Sequence, residues 1–391
     1  MIEEISWALL GIIAGIFTGL LPGIHANTIA FIALLLPFDK TTGLAMFIVS
    51  MGISHSIFDS IPSILLGAPS EESSVNVLPG HQMLLRGKGL EAIELTVFGS
   101  LMTGMFAIAL APIFFSFAKN FGRNLPLIIP ALVAGTILLL LISEKNKIDA
   151  LAVSIGAGLL GLFILNSGVM ESVFVLIVGF FGLPGLIQSV FANTKIPEQE
   201  KSVQGSAAVN LGFVSALTSG FLAVFPGIGP SQSAQIVKTF FRKLTAREYL
   251  VLNGGINTGN LFFSAIMLYS LGKTRTGMAV ALESAIRVDF GAMLILCATA
   301  LFSIGICAAI VGPIAARALK WVKRIDYRKV SAATIIFLLL LVAFFSGIAG
   351  LAACMCACGI SIFALGSKVR RSHCMAFLLF PTLAFYLGIS I

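Results

Sequence analysis

The chain has 391 residues, 58% hydrophobic and 11% charged, with a mean hydropathy of +1.03 and a formal net charge of +8. Soluble domains carry roughly 25% charged residues, so this composition excludes a soluble globular protein. The basic residues lie in short loops between apolar runs, where they act as topology signals, and this excludes a nucleic-acid grip.

Uncharged runs long enough to span a bilayer as helices recur along the whole length. The N-terminus, Met1-Ile-Glu-Glu-Ile-Ser6, is acidic, and no cleavage site follows its apolar run. It reads as a first membrane helix and not as a removed signal peptide. Gly11, Gly15 and Gly19 form a small-xxx-small stripe there, the pattern of close helix packing. The first uncharged segment, Ile5 to Phe38, is interrupted by Gly19-Leu-Leu-Pro-Gly-Ile-His-Ala-Asn27. Spans follow near 41–57, 90–118, 124–142, 148–165 and 170–187.

After the polar loop Ile196-Pro-Glu-Gln-Glu-Lys201 the order recurs. A second interrupted segment, 206–240, carries Ala223-Val-Phe-Pro-Gly-Ile-Gly-Pro-Ser231. Spans near 245–271, 288–316, 329–345, 347–366 and 373–391 complete it. In each half a Ser/Pro/Gly-rich stretch, 59–80 or 272–287, follows the second element; both are too polar to face lipid and read as re-entrant loops. The expected fold is therefore all-α and polytopic, with repeat 1 over 1–198 and repeat 2 over 199–391. Each repeat has five spanning helices plus a broken, hairpin-like segment. Five is odd, so the second repeat is expected upside down. With both termini extracytoplasmic, only Lys40, Lys119, Arg123, Lys273, Arg275 and Arg287 lie outside, and the rest of the 25 Lys and Arg lie inside.

Pro and Gly break a helix, and a duplicated broken membrane segment points to a transporter's substrate site. A helix that restarts after such a turn aims free N–H groups inward, which suits an anion. The expected substrate site is Pro22, Gly23, His25, Asn27 and Thr28 with Pro226, Gly227, Gly229, Ser231, Gln232 and Ser233. The competing reading makes the polar members helix N-caps. Asp59 and Ser63, with Asn257, Thr258 and Asn260 in the other half, are the expected coupling-ion residues, because freed oxygens and a buried carboxylate suit Na⁺ or H⁺. Their alternatives are a helix-end Asp59 and ordinary inter-helix hydrogen bonds. Arg275 is placed to hold a substrate carboxylate, or is a solvated loop charge.

Gly272-Lys-Thr-Arg-Thr-Gly277 lacks the earlier glycine and the preceding strand of a nucleotide-binding loop, so no ATP site is expected. Cys354-x-Cys-x-Cys358 places its middle thiol off the shared face, a poor metal clamp and a better packing element. No nucleophile–base order or zinc spacing is present, so neither a catalytic residue nor a cofactor is expected and the chain reads as no enzyme.

Gly19-Leu-Leu-Pro-Gly-Ile24, Ile64-Leu-Leu-Gly-Ala-Pro-Ser-Glu-Glu-Ser-Ser74, Pro79-Gly-His-Gln-Met83, Gly87-Lys-Gly-Leu-Glu-Ala92 and Phe225-Pro-Gly-Ile-Gly-Pro230 resemble the TctA family, the large membrane subunit of tripartite tricarboxylate transporters. His25-Ala-Asn27 stands where that family usually has Gly-Pro. The resemblance implies a secondary permease of the cell membrane for a small organic anion, a carboxylate, driven by a Na⁺ or H⁺ gradient. It also implies a small membrane subunit and an extracytoplasmic solute-binding protein as partners; assembly into a homo-oligomer is left open. The alternatives are a passive channel or exporter, and a membrane scaffold that transports nothing.

Overall fold

A computed structural model describes residues 2–21, 41–67, 77–121, 125–142, 144–191, 197–200, 209–224, 230, 233–234, 237–238, 241, 244–272, 277–324 and 327–389. Among these residues the regular structure is helical and no strand occurs. Helices satisfy every backbone group within one segment, which an apolar solvent demands. The first half carries α1 (Ile2–Leu20), α2 (Thr42–Phe58), α3 (Ser60–Leu65), α4 (Val77–Leu85), α5 (Gly89–Phe121), α6 (Leu125–Ile142), α7 (Lys147–Asn166), α8 (Ser172–Ile177) and α9 (Leu183–Phe191). The second carries α10 (Val209–Val224), α11 (Ala246–Leu271), α12 (Gly277–Ala285), α13 (Phe290–Arg324), α14 (Tyr327–Gly366) and α15 (Ala376–Tyr386).

Among the described residues, six stretches are long and apolar enough to cross a membrane: Glu3–Leu20, Thr42–Leu65, Gly89–Asn120, Lys147–Asn166, Phe290–Trp321 and Ser331–Gly366. Shorter apolar helices cover Leu127–Ile142, Ser172–Gln188 and Val209–Ala223. The 40 residues of α14 would extend about 60 Å, twice a bilayer's apolar thickness. Gly347 resolves this: at φ 61° and ψ −157° it breaks the rod in two. A π-helical turn, Val178–Gly182, joins α8 to α9. The carbonyls it loosens are taken by side chains, Ser361 Oγ donating to Phe180 O (2.6 Å) and Arg371 Nη1 to Phe181 O (3.2 Å).

The two polar stretches read as re-entrant loops contain helices: α3 and the start of α4 within 59–80, and α12 within 272–287. All of α3 is buried, so its serines are shielded by protein. The core forms two main clusters. One joins α1–α5 with α10–α13 around Ile48, Phe58, Phe114 and Phe263; the other joins α7–α9 with α14 and α15 around Phe180, Ala357 and Phe377. Helix α11 belongs to both, giving Val251, Phe262 and Phe263 to the first and Tyr249, Leu252 and Ile256 to the second. Cys354 and Cys358 face inward and Cys356 outward, as their spacing requires.

Candidate functional site

Helix α11 is polar for a buried helix, and its neighbours explain how it is held. Its start is a capping box: Thr245 Oγ1 accepts from Glu248 N, and Glu248 Oε2 accepts from Thr245 N at 2.8 Å. Nearby, Arg247 Nη2 lies 2.6 Å from Glu91 Oε1 on α5, and Lys238 Nζ sits 4.6 Å from the Tyr249 ring centroid. One side of the helix is pressed against α5 and α10. A Cβ on Gly254 would lie 2.2 Å from Thr96 O, and one on Gly255 would lie 2.3 Å from Thr103 Oγ1 and 2.7 Å from Ser215 Cβ. Hydroxyls lace this contact. Ser215 Oγ donates to Leu252 O (3.0 Å), Ser219 Oγ to Ile256 O (3.2 Å) and Ser100 Oγ to Gly254 O (3.1 Å). Thr258 Oγ1 in turn donates to Ser100 Oγ at 2.8 Å.

On the opposite side of α11, Asn253, Asn257, Asn260 and Ser264 fall at i, i+4, i+7 and i+11, one face of the helix. All four are buried. Asn253 is 0% exposed, and among the described residues neither its Oδ1 nor its Nδ2 has a hydrogen-bond partner. An enclosed polar group without a partner costs about 1–3 kcal/mol, so this row is unlike the laced side.

Helix α2 repeats the pattern. Its contact with α1 is glycine-lined: a Cβ on Gly11 would meet Phe47 O at 2.4 Å, and one on Gly15 would meet Met51 O at 2.3 Å. Ser54 Oγ donates to Ile12 O (2.9 Å), and His55 Nδ1 lies 3.1 Å from Thr18 Oγ1. Away from α1, Gly52, Ser56, Asp59 and Ser63 follow the same 4-3-4 spacing as the row on α11. A Cβ on Gly52 would face Met278 of α12 and Leu261 of α11. Asp59 is 5% exposed, and Ser56 Oγ is buried without a hydrogen-bond partner. Pro62 supplies no N–H to Phe58 O, which accounts for the break between α2 and α3 at Asp59. The serines match too: Ser63 Oγ donates to Asp59 O (2.6 Å) and Ser264 Oγ to Asn260 O (2.7 Å).

Of the expected coupling residues, the structure sets Asp59 and Ser63 on one row and Asn257 and Asn260 on the other, and turns Thr258 to the laced side. Of the expected substrate residues, Ser233 is buried. Pro22, Gly23, His25, Asn27, Thr28, Pro226, Gly227, Gly229, Ser231, Gln232 and Arg275 lie outside the described residues. Sequence reasoning missed Asn253 and Ser56 as row members, although their spacing, i, i+4 to Asn257 and i, i+3 to Asp59, was there to be read.

The tripartite tricarboxylate transporter TctA family model matches residues 5–376, nearly the whole chain. The chain belongs to this family. It is 28% identical over 407 aligned residues to an uncharacterised protein of Methanocaldococcus jannaschii, covering 98% of this chain and 99% of that one. An uncharacterised 52.8 kDa protein of Agrobacterium vitis is 31% identical over 168 residues, 40% of this chain and 32% of that protein. No solved structure matches. Membership of the TctA family together with the apolar helices makes this a multi-pass membrane protein and a component of a tripartite tricarboxylate transporter.

The TctA-family chain also holds a buried charged cluster far from both rows in sequence. Glu144, before α7, accepts from Arg370 Nε at 2.8 Å, and His373 Nε2 lies 3.3 Å from the same Oε2. His373 Nδ1 is 3.1 Å from Ser154 Oγ. The Glu144 side chain is 8% exposed and that of His373 1%. Burial disfavours the Glu144 carboxylate, but the Arg370 hydrogen bonds and charge, with a bond from Lys145 N, outweigh it and hold the carboxyl below its ordinary range. Burial pushes the His373 imidazole down, against the pull of Glu144 and with the push of Arg370. Only a water-sized cavity, lined by Ser154, His373, Ile137, Leu140, Ala376 and Leu379, adjoins it among the described residues. This Ser–His–Glu arrangement fastens the α6–α7 connection to the α14–α15 connection.

Proposed function

We propose that this chain is the permease of a secondary active transporter that moves a small organic anion, a carboxylate, with a Na⁺ or H⁺ gradient. The observation that carries the reading is the pair of buried polar rows with one spacing, Gly52/Ser56/Asp59/Ser63 and Asn253/Asn257/Asn260/Ser264, on helices otherwise clamped by glycine. Buried polar rows inside membrane helices are costly and mark ion or substrate paths. Their equal spacing fits two repeats, 1–198 and 199–391, in which α1/α2 corresponds to α10/α11. With five crossings in each, the repeats would be inverted and both termini extracytoplasmic.

In this reading Asp59, Ser63, Asn257 and Asn260 take the coupling cation, and Thr258 fixes the pose of α11 through Ser100. The two Pro-Gly-Ile turns, with His25, Asn27, Thr28, Ser231, Gln232 and Ser233, receive the anion on helix N-termini, and Arg275 pairs with its carboxylate. A small membrane subunit and an extracytoplasmic binding protein complete the system, as the family's tripartite description supports.

The test is uptake and counterflow in proteoliposomes over a panel of mono-, di- and tricarboxylates with imposed Na⁺ or H⁺ gradients. Gradient-driven accumulation of at least one acid is expected. Flux indifferent to either cation gradient would move the assignment to a passive channel, and no flux at all would leave a scaffold.

A further inference from the structure

We propose that Asn253 is a ligand of the coupling cation and that this cation is Na⁺. The inference deepens the transporter reading and rests on it, but it starts from an observation of its own. Asn253 is fully enclosed, and its amide oxygen and nitrogen have no hydrogen-bond partner among the described residues, whereas Ser100, Ser215, Ser219 and Thr258 on the other side of α11 are all bonded. Packing does not require an amide there, since an alanine or leucine would avoid the desolvation penalty. A ligand that takes the amide oxygen supplies the reason.

The chemistry of the neighbours selects the ligand. Asn253, Asn257 and Asn260 set three amide oxygens along two turns of one face. The equivalent row of α2 carries the Asp59 carboxylate and the buried Ser56 hydroxyl, whose oxygen has no hydrogen-bond partner among the described residues. Oxygen donors suit a hard cation, and neutral amide and hydroxyl oxygens suit a monovalent one. A divalent ion would leave an uncompensated charge in a buried site. A proton would use Asp59 and leave Asn253 unexplained, since amides do not titrate in this range. Among the described residues there is no cluster of three His, Cys, Asp or Glu side chains that would suit a transition metal. Gly52 occupies the position in the first row that Asn253 holds in the second, so the extra ligand belongs to α11 alone.

The experiment uses the purified full-length chain in detergent. Thermal unfolding is followed at fixed neutral pH while NaCl replaces choline chloride at constant ionic strength, with KCl as a second control. The wild-type midpoint is expected to rise with Na⁺ and to stay flat in K⁺ and choline. Asn253→Ala should need at least ~10-fold more Na⁺ for the same rise, while its midpoint in choline equals or exceeds that of the wild type. Asn253→Ser, which keeps one shorter oxygen, should fall between the two and serves if the alanine variant does not fold. A wild-type Na⁺ response in both variants, or midpoints lowered equally in Na⁺ and choline, would overturn the ligand assignment. A wild type indifferent to Na⁺ that still accumulates a carboxylate on a proton gradient would sink the Na⁺ assignment and leave the transporter standing. Indifference to Na⁺ with no uptake would remove both.

Discussion

Two buried polar regions of this molecule solve the same problem in opposite ways. Around Glu144, charge is answered by charge: Arg370 and His373 converge on one carboxylate oxygen, and Ser154 meets the far side of the imidazole. Along the face of α11 opposite the laced one, neutral amides lie in a row, and Asn253 has no hydrogen-bond partner among the described residues. A cluster whose carboxylate is met by a guanidinium holds two connections together. An orphaned amide in such a row costs stability at rest, so its use lies in what it can hold. Burial alone does not separate the two; the accounting of partners does.

The sharpest way to break this contrast is to remove the clamp that presents the row. Gly254→Val puts new carbon about where Thr96 O already lies, 2.2 Å from the Cβ. A loss of more than about 3 kcal/mol is expected, at or beyond the upper end for overpacking, seen as failure to recover monodisperse protein. Next in size, Glu144→Ala leaves His373 and Arg370 without their shared acceptor. With Arg370 half exposed the cost should be about 2 kcal/mol, read as a lower thermal midpoint with unchanged Na⁺ response. A change in the Na⁺ response would show the two regions to be coupled.

Thr258→Val removes the bond to Ser100 and should cost about 1 kcal/mol in any salt. If instead it erased the Na⁺ effect alone, Thr258 would belong to the cation site and the division of α11 into two sides would fail. The smallest effect is with pH. His373 is held below its ordinary value of 6.5 by burial, so the unfolded chain takes up that proton first as pH falls. Stability is then full above about pH 6.5 and declines below it; the Glu144 contribution, from a carboxyl held low, is lost only at more acidic pH. His373→Asn should flatten the decline between pH 6.5 and 5 in a series of unfolding midpoints. A wild type that gains stability on acidification would mean that a His373 cation paired with Glu144 dominates.

Most of the helical plan could be read from charge-free runs, because membrane spans are fixed by length and composition. Even the break at Gly347 falls at the first residue of the second of the two spans read at 329–345 and 347–366. The short helices α3, α4 and α12 could not be read that way: they are buried by neighbours and not by their own hydropathy. In the candidate site, Asp59, Asn257 and Asn260 stood out because such residues are rare within apolar runs. Asn253 was visible only as part of an Asn- and Gly-rich motif, since its lack of a partner is a property of the packed molecule. The Glu144–His373 contact joins residues more than two hundred positions apart and left no local signal. Ser100, Ser215 and Ser219 looked like ordinary small residues until α11 was laid against them.

The glycines of α11 have a mechanical corollary. With Gly254 and Gly255 seated directly against the main chain of α5 and the side chains of α5 and α10, α11 can neither roll nor slide without dragging those helices along. Any stroke that opens the asparagine ladder to one aqueous side must therefore carry the three as a solid block.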